Sequence, residues 1–340
     1  MRATFQDAEL QATLERDGYA VVQMLDDDEV AALRDAYFGL GDAPGDPHMA
    51  CHSSFHSYDR TYKNNVNTIV RNALDPHLER VFDRQRALPC NFIMKWPGGM
   101  GGFGLHQDLT LVDEREFRSV EVWIAMEDTH ADNGQLWMVP GSHQWIPTLR
   151  GIHAFHFPFR EVVPRIIERH ARPVPVKAGE AVVFNHAIVH WSYPNKTDTP
   201  RLAVITDLIP EEAMHLHFFG DDDGNIEAFE IGDEFWTDNS PFTLHQPPPA
   251  SQSRGIVDYF EFVELTDEDL DRLVAEGRAI DGEASGRGAI NAAKPWCHRC
   301  GATDFESYKP NRFVGNVTML CPSCQEAETA YAASRAHVGA

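Results

Sequence analysis

Ala181-Val182-Val183-Phe184-Asn185-His186-Ala187-Ile188-Val189-His190-Trp191-Ser192, followed by Tyr193-Pro194-Asn195-Lys196-Thr197 and then by Arg201-Leu202-Ala203-Val204-Ile205-Thr206-Asp207-Leu208, is the stretch on which the reading of this chain turns. Both flanks are rich in β-branched and apolar residues, and Pro194-Asn195-Lys196-Thr197 supplies turn chemistry between them, so the stretch reads strand, turn, strand. A hairpin centred between Asn195 and Lys196 sets His190 opposite Arg201 and Ser192 opposite Thr199. Directly opposed residues share a face. An imidazole then stands beside a guanidinium suited to clamping a carboxylate in two-pronged fashion, with the Ser192 hydroxyl on the same side. His186 shares that face as well and stays open as an alternative to His190; the Arg201 register favours His190.

Outward from this stretch, residues 91–96, 120–126 and 135–139 are further short apolar or alternating runs broken by Gly and Pro. Many short strands with such punctuation indicate a sandwich or barrel. The N-terminal part reads helix (5–16), strand (19–25), then a capping box at Asp26 and Glu29 ahead of a helix with Val30, Leu33 and Tyr37 on one face. Residues 162–170 and 267–278 read as helices, the latter with Thr266 as N-cap. Asp221-Asp222-Asp223-Gly224 reads as a turn, since the other ligands of a calcium loop are missing. The expected class is mainly β with flanking helices.

Upstream lies Leu105-His106-Gln107-Asp108, after a loop (98–104) with five glycines. In an extended segment His106 and Asp108 project to one side. With His190 they make two imidazoles and a carboxylate, the facial set that holds non-heme iron and leaves three neighbouring positions open. The same donors serve catalytic zinc, so a zinc-dependent hydrolase is the alternative. It lacks an H-E-x-x-H helix and leaves Arg201 and Ser192 without a task. A third reading is a non-catalytic binding protein that presents its C-terminal module to a partner.

Taken together, Leu105-His106-Gln107-Asp108, Val122-Trp123-Ile124-Ala125-Met126-Glu127, Asn133-Gly134, Pro140-Gly141-Ser142-His143, and His190, Ser192, Asn195 and Arg201 resemble the phytanoyl-CoA dioxygenase family of Fe(II)/2-oxoglutarate-dependent oxygenases. The resemblance spans roughly residues 18–210. It implies a double-stranded β-helix (a jelly roll, cupin-like) with iron held by His106, Asp108 and His190. It further implies that Arg201 and Ser192 bind the distal carboxylate of 2-oxoglutarate, with Trp123 and Asn91 lining the cosubstrate pocket. Lys95 matches the pattern too, without an assignable role. The implied reaction hydroxylates an unactivated C–H of a small molecule, using O2 and releasing succinate and CO2. The carboxylate of Asp108, which halogenating relatives lack, favours hydroxylation; desaturation and ring closure stay open. Candidate substrates are specialised metabolites, amino-acid-like compounds and acyl compounds. Aromatic residues in 150–160 and 211–245, Trp236 among them, are expected to line the substrate pocket.

Cys297-His298-Arg299-Cys300 and Cys321-Pro322-Ser323-Cys324 are two CxxC knuckles with 20 residues between them, the spacing of a four-cysteine structural zinc site. The expected organisation is a dioxygenase domain over 1–283 and a linker with a zinc-ribbon-like module over 284–340, available for protein or self-association. Cys51 and Cys90 read as buried small apolar residues. The net charge of −23 opposes binding to nucleic-acid phosphates. No run approaches the roughly 20 apolar residues of a membrane span, and no apolar leader opens the chain, so a cytoplasmic location is expected.

Overall fold

Along residues 120–125, Val120, Val122 and Ile124 are buried on one side of an extended strand while Trp123 and Ala125 are buried on the other. A strand covered on both faces must lie in the middle of a layered structure. The computed structural model describes residues 1–41, 51–98, 102–152, 157–221, 223–239 and 246–282. It begins with α1 (Ala8–Asp17), β1 (Tyr19–Gln23), α2 (Asp27–Gly39), β2 (Cys51–Ser53), α3 (Arg60–Val81), β3 (Gln85–Ala87) and β4 (Asn91–Lys95). Next come β5 (Phe103–His106), β6 (Val120–Ala125), β7 (Leu136–Met138), α4 (Val163–Arg165), β8 (Arg172–Val174), β9 (Glu180–Asn185) and β10 (His190–Ser192). The chain continues through β11 (Arg201–Pro210), β12 (Leu216–Gly220), β13 (Ile226–Glu230), α5 (Phe235–Asp238), β14 (Ser253–Ile256) and α6 (Asp267–Ala275).

The larger sheet has the order β1-β9-β6-β11-β4-β2, with β3 also paired to β11. A smaller sheet has the order β5-β10-β7-β8, and a third the order β12-β13-β14; the strand pairs in all three are antiparallel. One apolar cluster joins the first two sheets face to face. Trp123, Val182, Phe184 and Ala203 come from the larger sheet, and Leu136, Met138 and Val174 from the smaller. The outer face of the larger sheet packs against α1, α2 and α3 through Leu14, Leu33, Val66, Val70 and Leu74. The outer face of the smaller sheet carries Trp137 and Trp191, stacked with ring centroids 5.8 Å apart, under Leu270 and Leu273 of α6.

Several expectations match. Asp26 and Glu29 form a capping box on α2, and Thr266 caps α6. Asp221 closes a tight turn between β12 and β13 by accepting from the Asp223 and Asn225 N–H groups. The 162–170 helix exists as a short irregular stretch that passes through α4 into a π-turn at Ile166–His170.

The hairpin is a correction. The 181–192 run is not one strand: β9 belongs to the larger sheet and β10 to the smaller, and the chain changes sheets over residues 186–189. Arg201 therefore opposes Lys95 on β4, not His190, which opposes His106 on β5 and Met138 on β7. Asn195 does close a loop, but one that crosses between sheets. Its side chain donates to the carbonyls of Thr199 (2.7 Å) and Lys95 (3.3 Å). α3 has no counterpart among the sequence expectations, although Tyr62, Val66, Val70, Leu74 and Leu78 recur every four residues and are buried. Cys90 is buried as expected, and burial pushes its thiol up to about 12. No helix among the described residues is long and apolar enough to cross a membrane. The linker from 284 and the four cysteines Cys297, Cys300, Cys321 and Cys324 lie outside the described residues.

Removing Trp137 opens the layer between the smaller sheet and α6. Trp137→Ala is expected to cost about 3–5 kcal/mol in a urea unfolding curve, with the midpoint shifted and the slope unchanged.

Candidate metal centre

His106 ends β5, Asp108 follows two residues later, and His190 opens β10 directly opposite His106. One ligand atom from each lies within 4.8 Å of the others. His106 Nε2 is 3.5 Å from Asp108 Oδ1, and His190 Nε2 is 3.6 Å from Asp108 Oδ2. Both imidazoles are oriented from behind. His106 Nδ1–H donates to the Gly104 carbonyl at 2.6 Å and His190 Nδ1–H to the Ile188 carbonyl at 3.1 Å. Those bonds assign the proton to Nδ1 and leave each Nε2 lone pair facing the carboxylate, the arrangement metal-binding histidines need.

Burial, and then the neighbouring His106 ring, pull the His190 imidazole down to about 4, so it is neutral and able to ligate at physiological pH. Burial alone would push the Asp108 carboxyl up, but His190 and then His106 outweigh it and hold it well below the usual carboxylate range. Asp108 Oδ2 is buried with no hydrogen-bond partner among the described residues. An ionised, buried oxygen without a donor fits a divalent cation, as do the two imidazole nitrogens beside it.

The ligand segments are tied to each other by one main-chain bond and one from the Gln107 side chain. The Asp108 N–H donates to the His186 carbonyl at 2.9 Å, and the Gln107 amide donates to the Ala187 carbonyl. Val189 N–H donates to Ser142 Oγ at 2.8 Å, which gives the Pro140-Gly141-Ser142-His143 motif a task beside His190. His186 is not part of the group formed by His106, Asp108 and His190. The His186 ring is held between the Ser119 hydroxyl (2.7 Å) and the Asp207 carboxylate (3.0 Å).

The larger sheet supplies the facing wall. Arg201, Lys95, Trp123 and Asn91 occupy its inward positions and are all buried, as is Ser192 on the smaller sheet. The Arg201 guanidinium lies 5.0 Å from the Trp123 ring centroid. Lys95, fully buried and paired with Arg201 in register, donates to the Tyr193 carbonyl. Sequence reasoning left it without a role; the signal was a lysine directly after the apolar run Phe92, Ile93 and Met94. Asn91 accepts from Ser53 Oγ at 3.0 Å. Gly134 has φ +80°, and a Cβ there would sit 2.6 Å from the Tyr193 carbonyl and 2.9 Å from Lys95 Cδ. The Asn133-Gly134 motif thus makes room for the lysine.

Two further groups were not anticipated. Glu121 and Asp207 oppose each other on β6 and β11, on the inward face and nearer Asp108. Burial, then Asp108 and Asp207, push the Glu121 carboxyl well above its ordinary value. Beyond them, Leu109 packs with Phe55, Ile152, Phe235 and Trp236. His217 lies against the Phe235 and Trp236 rings, at 5.2 and 5.9 Å. Burial, and then His215, pull its imidazole down to about 4.

Two antiparallel sheets enclosing a His/Asp/His set define a sheet-rich protein with three donor groups placed where they could hold one metal ion. The chain belongs to the phytanoyl-CoA dioxygenase (PhyH) family, whose description matches residues 14–203. It is 35% identical over 120 residues to phytanoyl-CoA dioxygenase domain-containing protein 1 of Danio rerio, covering 34% of this chain and 41% of that one. It is 30% identical over 132 residues to phytanoyl-CoA dioxygenase 1 of Oryza sativa subsp. japonica, covering 38% and 47%. The match thus spans about half the length of these curated relatives, or somewhat less. The structure is similar to the crystal structure of EvdO2 from Micromonospora carbonacea var. aurantiaca complexed with 2-oxoglutarate. There the identity is 22% and the TM-score 0.42, over 62% of this chain and 93% of that one.

Gly134→Ala should cost about 1–3 kcal/mol through strain at a left-handed position crowded by Tyr193 and Lys95, read as a lowered urea midpoint. Glu121 sets a pH dependence. As pH rises past about 4.3 the unfolded chain releases this proton before the folded chain does, so the folded state is progressively disfavoured. Glu121→Gln removes the effect, and in metal-free protein its gain in melting temperature should be larger near pH 8 than near pH 5.

Proposed function

We propose that this protein is an Fe(II)/2-oxoglutarate-dependent dioxygenase that hydroxylates an unactivated C–H of a small molecule. The single observation behind it is the convergence of His106, Asp108 and His190 between two sheets, with a neutral imidazole, an ionised carboxylate and buried cations on the facing wall. The fold is read as a double-stranded β-helix. His106 Nε2, His190 Nε2 and Asp108 would hold the iron. Arg201 and Lys95, adjacent and of like charge, favour an anion between them. With Ser192 they would take the distal carboxylate of 2-oxoglutarate, with Trp123 and Asn91 lining the pocket. Membership of the family favours this over the hydrolase reading.

When bound, the iron and cosubstrate supply the oxidising chemistry, consuming O2 and 2-oxoglutarate and releasing succinate and CO2. The chain's own residues do the rest. Trp123 and the apolar layer around Phe184 and Met138 keep water from the cosubstrate side. The Phe55, Leu109, Ile152 and Trp236 cluster forms the wall on which an apolar part of the substrate would rest, and substrates range over specialised metabolites, amino-acid-like compounds and acyl compounds. The tail from 284, with Cys297, Cys300, Cys321 and Cys324 on one structural zinc ion, is proposed as an attached module for protein or self-association.

Succinate formed from 2-oxoglutarate with Fe(II) and O2, read by mass spectrometry, tests the reading. Wild type should give succinate even without primary substrate, Asp108→Ala should give none, and Arg201→Lys should raise the KM for 2-oxoglutarate about tenfold or more, because the two-pronged carboxylate contact is lost. Absence of turnover in the wild type, coupled or uncoupled, would refute it. Metal analysis should find one iron and one zinc per chain; two zincs in fresh protein would favour hydrolysis.

A further inference from the structure

Arg150 lies outside the metal triad, in a loop 42 residues beyond Asp108, yet its Nε donates to the Asp108 carbonyl at 2.8 Å. Its Nη1 and Nη2 form an end-on fork with Glu114, at 2.6 Å to each carboxylate oxygen, and Nη1 also donates to the Thr148 carbonyl at 3.1 Å. The main chain joins in. The Thr110 N–H donates to the Arg150 carbonyl (3.0 Å), and the Arg150 N–H donates to Thr110 Oγ1 (3.1 Å). Arg150 is 8% exposed, so this is no solvated surface pair. Exposed pairs of that kind are worth little; a buried charge-assisted fork is stiff and geometrically specific.

The placement matters because Asp108 sits past the end of β5, where no strand ladder holds it. Its N–H is anchored on the His186 carbonyl and its C=O on Arg150, so both flanking peptides are fixed from opposite sides and only the side-chain torsions stay adjustable. Thr148 extends the brace, since its hydroxyl accepts from the Gln107 amide at 3.2 Å, between the two ligands. Two residues past Arg150, Ile152 pairs with Phe219 and packs against Leu109 and Trp236. One side chain therefore ties the metal-bearing loop to the wall over the site.

We propose that Arg150, braced by Glu114, is a positioning residue for the metal centre, fixing the peptide that carries Asp108 and so the approach of its carboxylate to the metal. The proposal rests on the reading of His106, Asp108 and His190 as metal ligands. It also accounts for an arginine otherwise available to an anionic substrate, since its donors are already engaged within the fold.

The test is Mn(II) binding to the full chain, followed by loss of the free-ion electron paramagnetic resonance signal well below the unfolding transition. Mn(II) prefers oxygen and imidazole donors over thiolates, so the cysteine knuckles do not compete. Wild type against Asp108→Ala comes first: equal binding would remove the metal reading, and this proposal with it, before Arg150 is reached. Given a difference, Arg150→Gln should weaken Mn(II) binding about 10–100-fold, the range for lost outer support of a ligand. Arg150→Lys should fall between Gln and wild type, because one ammonium cannot reach the carbonyl and the carboxylate together. Glu114→Gln should weaken binding less than Arg150→Gln, and the double variant should add little to Arg150→Gln alone. A purely structural role predicts lower melting temperatures with unchanged affinity. Folded Arg150→Gln with wild-type affinity overturns the proposal; if that variant does not fold, wild-type affinity in Arg150→Lys overturns it instead.

Discussion

Two hydrogen bonds carry the architecture of the site: Asp108 N–H to the His186 carbonyl, and the Gln107 amide to the Ala187 carbonyl. They join segments about 80 residues apart in the chain at the point where the backbone leaves the larger sheet for the smaller. Without that junction β5 and β10 could pair in another register, and a slip of β5 by one residue would turn His106 out of the interior and away from His190. With it, His106 faces His190, both rings are backed by carbonyls, and the carboxylate between them has few places to go. The outer support from Ser142, Thr148 and Arg150 converges on the same short segments.

Much of this was legible in the sequence, and the reasons for success and failure differ by residue. The runs at 120–126 and 201–208 were legible as strands, because side-chain parity is a local property; that both their faces are covered was not. His106, Asp108 and His190 were legible as a donor set, and the structure brings those three together. The partner of Arg201 was not legible. Pro194-Asn195-Lys196-Thr197 has turn chemistry, and turn chemistry does not distinguish a hairpin from a crossing between sheets; only the contact of Asn195 with Lys95 does, and that spans 100 residues. Lys95 failed to stand out for a related reason: its burial is decided by β11 and by Gly134, neither of them near it in sequence. Glu121 and Asp207 each look like the polar member of an alternating strand, which normally faces water. Here that face is the interior.

The interior is accordingly polarised along its length. On β11 the inward positions run from Arg201 through Ala203 and Ile205 to Asp207, a cation at one end and a carboxylate roughly 20 Å away at the other, by the usual rise per residue of a strand. β4 and β6 repeat the sense of this gradient, with Lys95 beside the first end and Glu121 beside the second. The inward face of this sheet thus sets its basic groups at the Arg201 end and its carboxyl groups at the Asp207 end.

The change of sheet between β9 and β10 has a mechanical corollary. Both histidines ride on the smaller sheet and the buried cations on the larger, so the gap between the sheets acts as a gauge block for the distance from the His106, Asp108 and His190 group to Arg201 and Lys95. That gap is filled by Leu136, Met138, Val182 and Ile188, none of which bears a reactive group. One methylene more or less there alters the spacing at which the two halves meet, since close-packed interiors transmit volume changes rather than absorb them. The spacing between the donor triad and the buried cations is therefore adjustable from the hydrocarbon filling, at positions where a change would pass for ordinary variation in the core.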